Sequence, residues 1–376
     1  MQIEEFSLER IQSLHENLVE LNLSDSGVHP FDLRTLLGPE EIEALLDVEL
    51  GYGWTNGSVA LREAIAALYD GRGADEVIVT NGGAEANFLL VMTLVRPGDE
   101  VIVVTPNYLQ VSGWARAAGA TVIEVPLDAA QGWCLDRAAI AAAITPATRL
   151  VTLCNPNNPT GTVLADEDLQ HLLGLAEKHD FWVHSDEVYK GSELEGDEPP
   201  SLADSAGGAR SRVIVTNSLS KAMALPGLRI GWLCGPAAEI YAAWQRKDYT
   251  SITTAALSEV IAAQVLAPER RARILARSRD WLRGNRDLLA TWLEGQPRFQ
   301  CTLPRAGGMA FLRYDLPVSS SELAERLRTE CDLLVVPGDC YGLEGYIRIG
   351  IGAPPEVLSE GLKRIGACVE GAWASA

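Results

Sequence analysis

The chain has 376 residues, 47% hydrophobic and 22% charged, which suits roughly two or three folding units with a sizeable core and excludes a disordered or collagen-like chain. Thirty-one Lys and Arg against fifty-one Asp and Glu leave a net charge of −20, and no basic run interrupts it, so nucleic acid is not an expected partner. The longest largely apolar stretch, Phe88 to Val95, is far short of the roughly 20 residues a helix needs to cross a bilayer, so no membrane span is expected.

The chain starts Met1-Gln2-Ile3-Glu4-Glu5, acidic where a secretory signal would be basic, which predicts no export. From Glu76 a pattern repeats: a short β-branched run, a turn, then an amphipathic segment. The first unit is a strand at 76–80 followed by a helix at 84–95. Further strands are predicted at 101–105, 121–125, 150–154, 182–185, 213–216 and 228–234, mostly separated by helix-length stretches. Buried strands alternating with helices imply a mainly parallel sheet covered on both faces, an α/β three-layer sandwich. Residues 191–210, rich in Gly, Pro and acid, read as a surface excursion. A long Arg-rich helix is predicted from about Pro268 to Glu294. Strands at 309–314, 333–336 and 346–351, with helices at 320–329 and 355–367, then form a smaller α+β domain. The expected division is an N-terminal segment 1–45 that joins the small domain, a large domain 46–275 and a small C-terminal domain 276–376.

The seven cysteines are scattered without a C-x-x-C pair and read as reduced thiols of a cytoplasmic protein. The five histidines show no metal-ligand spacing, and no metal site is expected.

Four segments could carry chemistry. Thr80-Asn-Gly-Gly-Ala-Glu85 lies where a strand gives way to a helix, and its two glycines let backbone N–H groups approach an anion such as phosphate. Alone, it reads first as a backbone-geometry feature. Asn155-Pro-Asn-Asn-Pro-Thr-Gly161 follows the strand ending at Cys154, and its prolines can hold an Asn amide rigidly at the edge where open α/β sheets bind ligands. His184-Ser-Asp-Glu-Val-Tyr189 puts carboxylates directly after an apolar strand. Asp186 there would pair well with a protonated ring nitrogen, and a solvated acidic loop is the alternative. Ser218-Leu-Ser-Lys-Ala-Met-Ala-Leu-Pro-Gly-Leu-Arg-Ile-Gly231 sets Lys221 among small and apolar neighbours, which favours a nucleophilic amine, with Ser218, Ser220 and Arg229 suited to a phosphate.

In order and spacing these four segments resemble the pyridoxal-phosphate (PLP) enzymes of fold type I, in the class I/II aminotransferase group, over nearly the whole chain. The resemblance implies PLP as cofactor, held by Lys221 through a Schiff base. Asp186 would pair with the pyridine nitrogen, with Asn158 and Tyr189 on the ring oxygen and Tyr108 stacked on the ring. Gly82, Gly83, Ala84, Ser218, Ser220 and Arg229 would hold the phosphate. Arg348, in Tyr346-Ile-Arg-Ile-Gly350, looks like the arginine that clamps the substrate α-carboxylate, with Asn158 and Gly27 also beside the substrate. Tyr52, in Gly51-Tyr-Gly-Trp-Thr-Asn-Gly57, and the 249–251 segment look like parts that complete a partner's phosphate site in a homodimer.

One segment departs from that pattern. Leu23-Ser-Asp-Ser-Gly-Val-His-Pro30 stands where such enzymes carry a Gly-containing loop without histidine, so Ser24, Ser26 and His29 are candidates to reach the substrate. With Arg246 to Ile252, it is similar to the capreomycidine-synthase-like branch, whose members eliminate a hydroxyl and close a ring. The expected function is therefore amino transfer from an α-amino acid to a 2-oxo acid. Elimination with ring closure, or replacement, on an arginine-like or other specialised amino acid is the alternative, and a non-catalytic PLP-sensing module a third reading.

Overall fold

Strand and helix assignments follow from a computed structural model that describes residues 2–204 and 207–373. Its strands are β1 (Leu21–Asn22), β2 (Val77–Asn81), β3 (Glu100–Thr105), β4 (Thr121–Pro126), β5 (Thr148–Cys154), β6 (Trp182–Asp186), β7 (Val213–Ser218), β8 (Ile230–Cys234), β9 (Phe299–Gln300), β10 (Met309–Tyr314), β11 (Leu333–Leu334), β12 (Val336–Pro337) and β13 (Tyr346–Gly350). The predicted strands are all present, with ends moved by one or two residues. The 333–336 run is divided between two ladders.

Seven strands form the large sheet in the order β2-β8-β7-β6-β5-β3-β4. The β4-β3-β5-β6-β7 run is parallel, whereas β8 is antiparallel to both β7 and β2, so the sheet is mainly rather than wholly parallel. Side chains alternate between two apolar layers. Ile102, Val151, Val183 and Val215 face one core, and Val101, Leu150, Trp182 and Ile214 face the other, under helix Gly82–Leu94 with Ala86, Leu89 and Leu90. Burial on both faces explains why these strands read as continuous apolar runs.

The smaller sheet, β12-β13-β10-β9, is antiparallel. A separate core beneath it joins Leu312, Ile347 and Ile349 to Leu323, Leu358 and Ile365 of helices Ser320–Cys331 and Pro355–Trp373. The N-terminal chain reaches this unit through β1, which pairs in parallel with β11, and Leu21 and Leu23 sit in the same core. Helix Pro268–Glu294 starts with proline at its first turn, where a missing N–H costs nothing, and sends Leu282 and Leu289 into that core.

Residues 191–210 are not a surface excursion throughout. Gly191 to Leu194 are buried, and Glu193 bridges Ala306 in the chain leading to β10. Polar side chains give this start internal partners: the N–H of Gly191 donates to Glu193, and Lys190 pairs with Glu198 at 2.7 Å. Positions 205 and 206 of the segment lie outside the described residues.

Candidate active site

The chain direction reverses between β3 and β5: β4 follows β3 outward, and β5 returns on its other side. A crevice opens at the carboxyl ends of the strands at such a point. A cavity of about 280 Å³ lies there. It is lined by the strand ends Asp186 (β6) and Ser218 (β7), by the segments after β3 (Tyr108, Gln110), β5 (Asn158), β6 (Val188, Tyr189) and β7 (Ser220, Lys221), by the start of helix Gly82–Leu94 and by Arg348 of β13. Of the residues singled out from the sequence, it gathers Gly83, Ala84, Tyr108, Asn158, Asp186, Tyr189, Ser218, Ser220, Lys221, Arg229, Arg348 and Ser26.

Lys221 sits in the turn between β7 and β8. The sequence suggested apolar surroundings, but its Nζ forms an ion pair at 3.0 Å with Asp25 Oδ1, which also accepts the Gly27 N–H at 2.9 Å. The Lys221 charge holds the Asp25 carboxyl well below the usual range. Gly27 passes close enough that a Cβ on it would lie 3.6 Å from Lys221 Cδ, so the 25–27 loop walls the lysine.

The two adjacent carboxylates at the end of β6 have different surroundings. Glu187 is buried and accepts from Ser201 Oγ at 2.6 Å and from the Leu202 N–H at 2.9 Å, on the side away from the cavity, and burial pushes its carboxyl up to about 7. Asp186 lines the cavity. Burial raises it to about 6 against hydrogen bonds from Asn87 and the Val188 N–H.

Arg348, 1% exposed, donates from Nη1 to Asn158 Oδ1 at 3.0 Å and to Tyr341 Oη at 2.6 Å, and from Nη2 to the Ser24 carbonyl. Its Nε is buried without a partner, so a donor of a fixed cation remains unused. Because the Asn158 carbonyl accepts from Arg348 and from Tyr341 at 3.2 Å, the amide orientation is set and its NH₂ is left to donate elsewhere. Tyr189 is buried, meets Ser26 Oγ at 2.8 Å, and burial raises its phenol strongly. Tyr108 Oη donates to Glu9 Oε1 at 2.6 Å, and its ring meets Phe6 at 4.9 Å, so the N-terminal helix Ser7–His15 forms one wall.

His29 is not brought to the cavity. Its ring stacks on Trp281 at 5.7 Å, and its carbonyl accepts from Arg277 at 2.7 Å, at a separate crevice beside Gly352. Ser24 bonds Asn22 and Gln12 with its hydroxyl, and only its carbonyl reaches Arg348. Tyr52 is 85% exposed and does not line this cavity.

The comparisons with known proteins agree with this geometry. The family described as aminotransferase class I and II matches residues 38–365. The chain belongs to the class I and II aminotransferase family. It is similar to the arginine–pyruvate transaminase of Pseudomonas aeruginosa, 33% identical over 93% of this chain and 90% of that one. It is also similar to the capreomycidine synthase of Streptomyces vinaceus, 34% identical over 92% and 88%. A PLP-dependent aminotransferase structure from Streptococcus suis superposes with a TM-score of 0.92 at 29% identity, covering 99% of both chains.

The aminotransferase is thus a PLP-dependent transferase of fold type I, with pyridoxal 5′-phosphate as its cofactor. Its residues fit that group. Gly82 has φ +77°, and a Cβ there would lie 2.4 Å from Arg229 Nη2, so only glycine leaves the arginine beside the helix N-terminus. Free amides of the first helical turn, the Ser218 and Ser220 hydroxyls and the Arg229 cation make a donor set for a dianion. At the other end, Asp186 offers a carboxylate and Asn158 an oriented amide, as a pyridine nitrogen and a phenolic oxygen need.

Asp25, Glu9, Asn87 and Tyr341 were missed by sequence reasoning. Asn87 alone carried a signal: a polar residue inside an otherwise apolar helix stretch. Among the described residues no cluster of potential metal ligands occurs, and no helix is long and apolar enough to cross a membrane.

Proposed function

We propose that this aminotransferase moves the amino group of an α-amino acid to a 2-oxo acid at the cavity between β3 and β5. The observation that carries the reading is one cavity holding Lys221, Asp186 and Arg348 with its unpartnered Nε. When bound, PLP supplies an electron sink for the substrate α-carbon. Lys221 would hold the cofactor, and its amine is the group that could move a proton at the substrate α-carbon. Asp186 would offer its anionic oxygen to the ring nitrogen and favour the protonated form. The Asn158 amide and the Tyr189 hydroxyl would donate to the ring oxygen, and Tyr108 would stack on the ring. Gly82, Gly83, Ala84, Ser218, Ser220 and Arg229 would hold the phosphate. Arg348 binds the α-carboxylate and so fixes the orientation of the bond that breaks.

The substrate is an amino acid with a cationic side chain. Besides Asp186, Glu9 is a carboxylate on the cavity wall, and burial, with the Asp25 and Glu9 charges added to it, raises the Glu16 carboxyl nearby. The similar arginine–pyruvate transaminase supports this reading. The active form is a homodimer: exposure of the apolar side chains Leu46, Leu50, Tyr52, Trp54 and Tyr249 supports this, and Tyr52 would complete a second copy's phosphate site. The free cysteines accord with the cytoplasm. We divide the chain into 1–45, 46–275 and 276–376.

Elimination with ring closure is the second reading, favoured by the likeness to capreomycidine synthase. One assay separates the two. Amino transfer consumes a 2-oxo acid and returns its amino acid one for one, whereas elimination proceeds with no 2-oxo acid present.

A further inference from the structure

Asp186 is the last residue of β6, and the layer behind it is unexpectedly polar. Thr152 on β5 and His184 on β6 stand opposite each other in register, and Thr216 on β7 is opposite Asp186. By strand alternation Thr152, His184, Asp186 and Thr216 share the face covered by helix Gly82–Leu94, the face that elsewhere carries Leu150, Trp182 and Ile214. Asn87 descends onto it from that helix. Thr152, His184, Thr216 and Asn87 are all buried.

These side chains bond to one another in a single line. His184 Nδ1 is 2.8 Å from Thr152 Oγ1, His184 Nε2 is 2.9 Å from Thr216 Oγ1, and Thr216 Oγ1 is 3.1 Å from Asn87 Oδ1. Asn87 Nδ2 is 3.3 Å from Asp186 Oδ2 and 3.2 Å from Gln110 Oε1. The chemistry of each group fixes the direction of the line. An ionised Asp186 only accepts, so the Asn87 NH₂ faces it and the amide oxygen faces Thr216. That oxygen can only accept, so the Thr216 hydroxyl donates to it and must itself accept from His184 Nε2–H. A neutral ring then has Nδ1 as acceptor, filled by the Thr152 hydroxyl. Burial keeps the ring neutral, pushing it down to about 3.

Four polar side chains in an apolar layer are costly unless every one is satisfied, and apolar residues of similar volume would pack the layer as well. What apolar residues would not supply is a donor aimed at Asp186. We infer that Thr152, His184, Thr216 and Asn87 form a one-way hydrogen-bond line whose task is to hold the Asn87 amide as a donor to Asp186, making them positioning residues for the carboxylate that faces the cofactor ring nitrogen. The inference rests on the role given to Asp186 above. No proton passes along the line; the imidazole serves as a fixed bridge with its proton on Nε2. The other titratable groups around Asp186 are Cys154 at the end of β5, Tyr108 after β3, Tyr189 after β6 and Lys221 after β7.

Two readouts on the cofactor-free protein test the line without reference to catalysis. Nitrogen-15 NMR of the imidazole should find Nε2 protonated and Nδ1 bare from about pH 5 to 8; a proton on Nδ1 overturns the inference. Carbon-13 NMR of the aspartate carboxyls should show Asp186 titrating at higher pH in Asn87→Leu and Thr216→Val than in the parent and in Thr216→Ser, which keeps the hydroxyl. Thr216→Val and Thr216→Ser both perturb packing, so an equal effect of the two, or none in Asn87→Leu, also overturns it. In the PLP-loaded enzyme Asn87→Leu should lower kcat about tenfold with KM within about twofold, as loss of one bond to a charged group implies, and should move the pH midpoint of the cofactor's visible absorption. Asp186→Asn tests the underlying reading separately: if that variant keeps the parent's visible spectrum and rate, the role of Asp186 fails while the NMR results on the line still stand.

Discussion

Replacing Arg348 by lysine keeps a positive charge in the site but removes the planar fork. The guanidinium reaches three protein oxygens at once, those of Asn158, Tyr341 and Ser24, from its two terminal nitrogens, with Nε left over. One ammonium has three N–H donors at a single point and cannot serve oxygens on both sides of the cavity while also making two parallel bonds to a carboxylate. The substrate then loses one charge-assisted bond, about 1.5–3 kcal/mol, or roughly ten- to 150-fold in kcat/KM. Some loss of melting temperature accompanies it, because Arg348 is almost fully buried and the Ser24 carbonyl loses its donor. The discriminating assay is therefore a ratio: single-turnover rates for an α-amino acid against its decarboxylated amine, in parent and variant. The account expects the variant to erode the preference for the carboxylated substrate by that factor. An unchanged ratio, with both substrates slowed alike, would mean that Arg348 is only a structural strand residue.

Glu187 makes a pH prediction for the fold. Its carboxyl is raised from 4.5 to about 7, so the folded state holds the proton more tightly than the unfolded chain, and ionisation destabilises the fold as pH rises between those values. Glu187→Gln should flatten the fall in melting temperature between about pH 4.5 and 7; an unaltered slope refutes the assignment. Glu9→Gln should raise KM for arginine or ornithine several-fold while leaving a neutral amino acid such as leucine within about twofold; equal effects on both argue against a cationic substrate. Light scattering should give a dimer for the active enzyme, and Tyr52→Phe should weaken PLP affinity without altering the dimer; a fully active monomer contradicts the shared site.

Much of this was legible in the sequence because the large sheet buries both faces of all its strands but the edge strand β4, so β2, β3 and β5 to β8 appear as apolar runs and the site residues fall at or just beyond their ends. Asp186 ends β6, and Asn158 and Lys221 follow closely on β5 and β7, which is why their neighbourhood could be read before their contacts. The antiparallel placement of β8 was not readable, since strand direction depends on the connection through the 219–229 turn rather than on apolar pattern. Asp25 and Glu9 were hidden for another reason. Glu9 reaches the cavity and Asp25 reaches Lys221 only because helix Ser7–His15 packs its Phe6 end on Tyr108 and β1 docks on β11, contacts of long sequence separation. His29 looked functional by residue type alone, and its ring is taken up by Trp281. The polar line behind Asp186 was likewise invisible, because Asn87, Thr152, His184 and Thr216 meet only across three strands and a helix.

The most direct test of the account is the site of covalent PLP attachment. The sequence contains five lysines, Lys178, Lys190, Lys221, Lys247 and Lys363, of which Lys221 alone lines the cavity. Lys190 is paired with Glu198, and Lys247 is buried with its Nζ donating to the Thr55 carbonyl at 2.7 Å. Borohydride reduction of the PLP-loaded enzyme followed by peptide mapping should find the reduced cofactor on Lys221, and Lys221→Ala should carry no label and show no turnover. A label on any of the other four lysines contradicts the site from which every role above is argued.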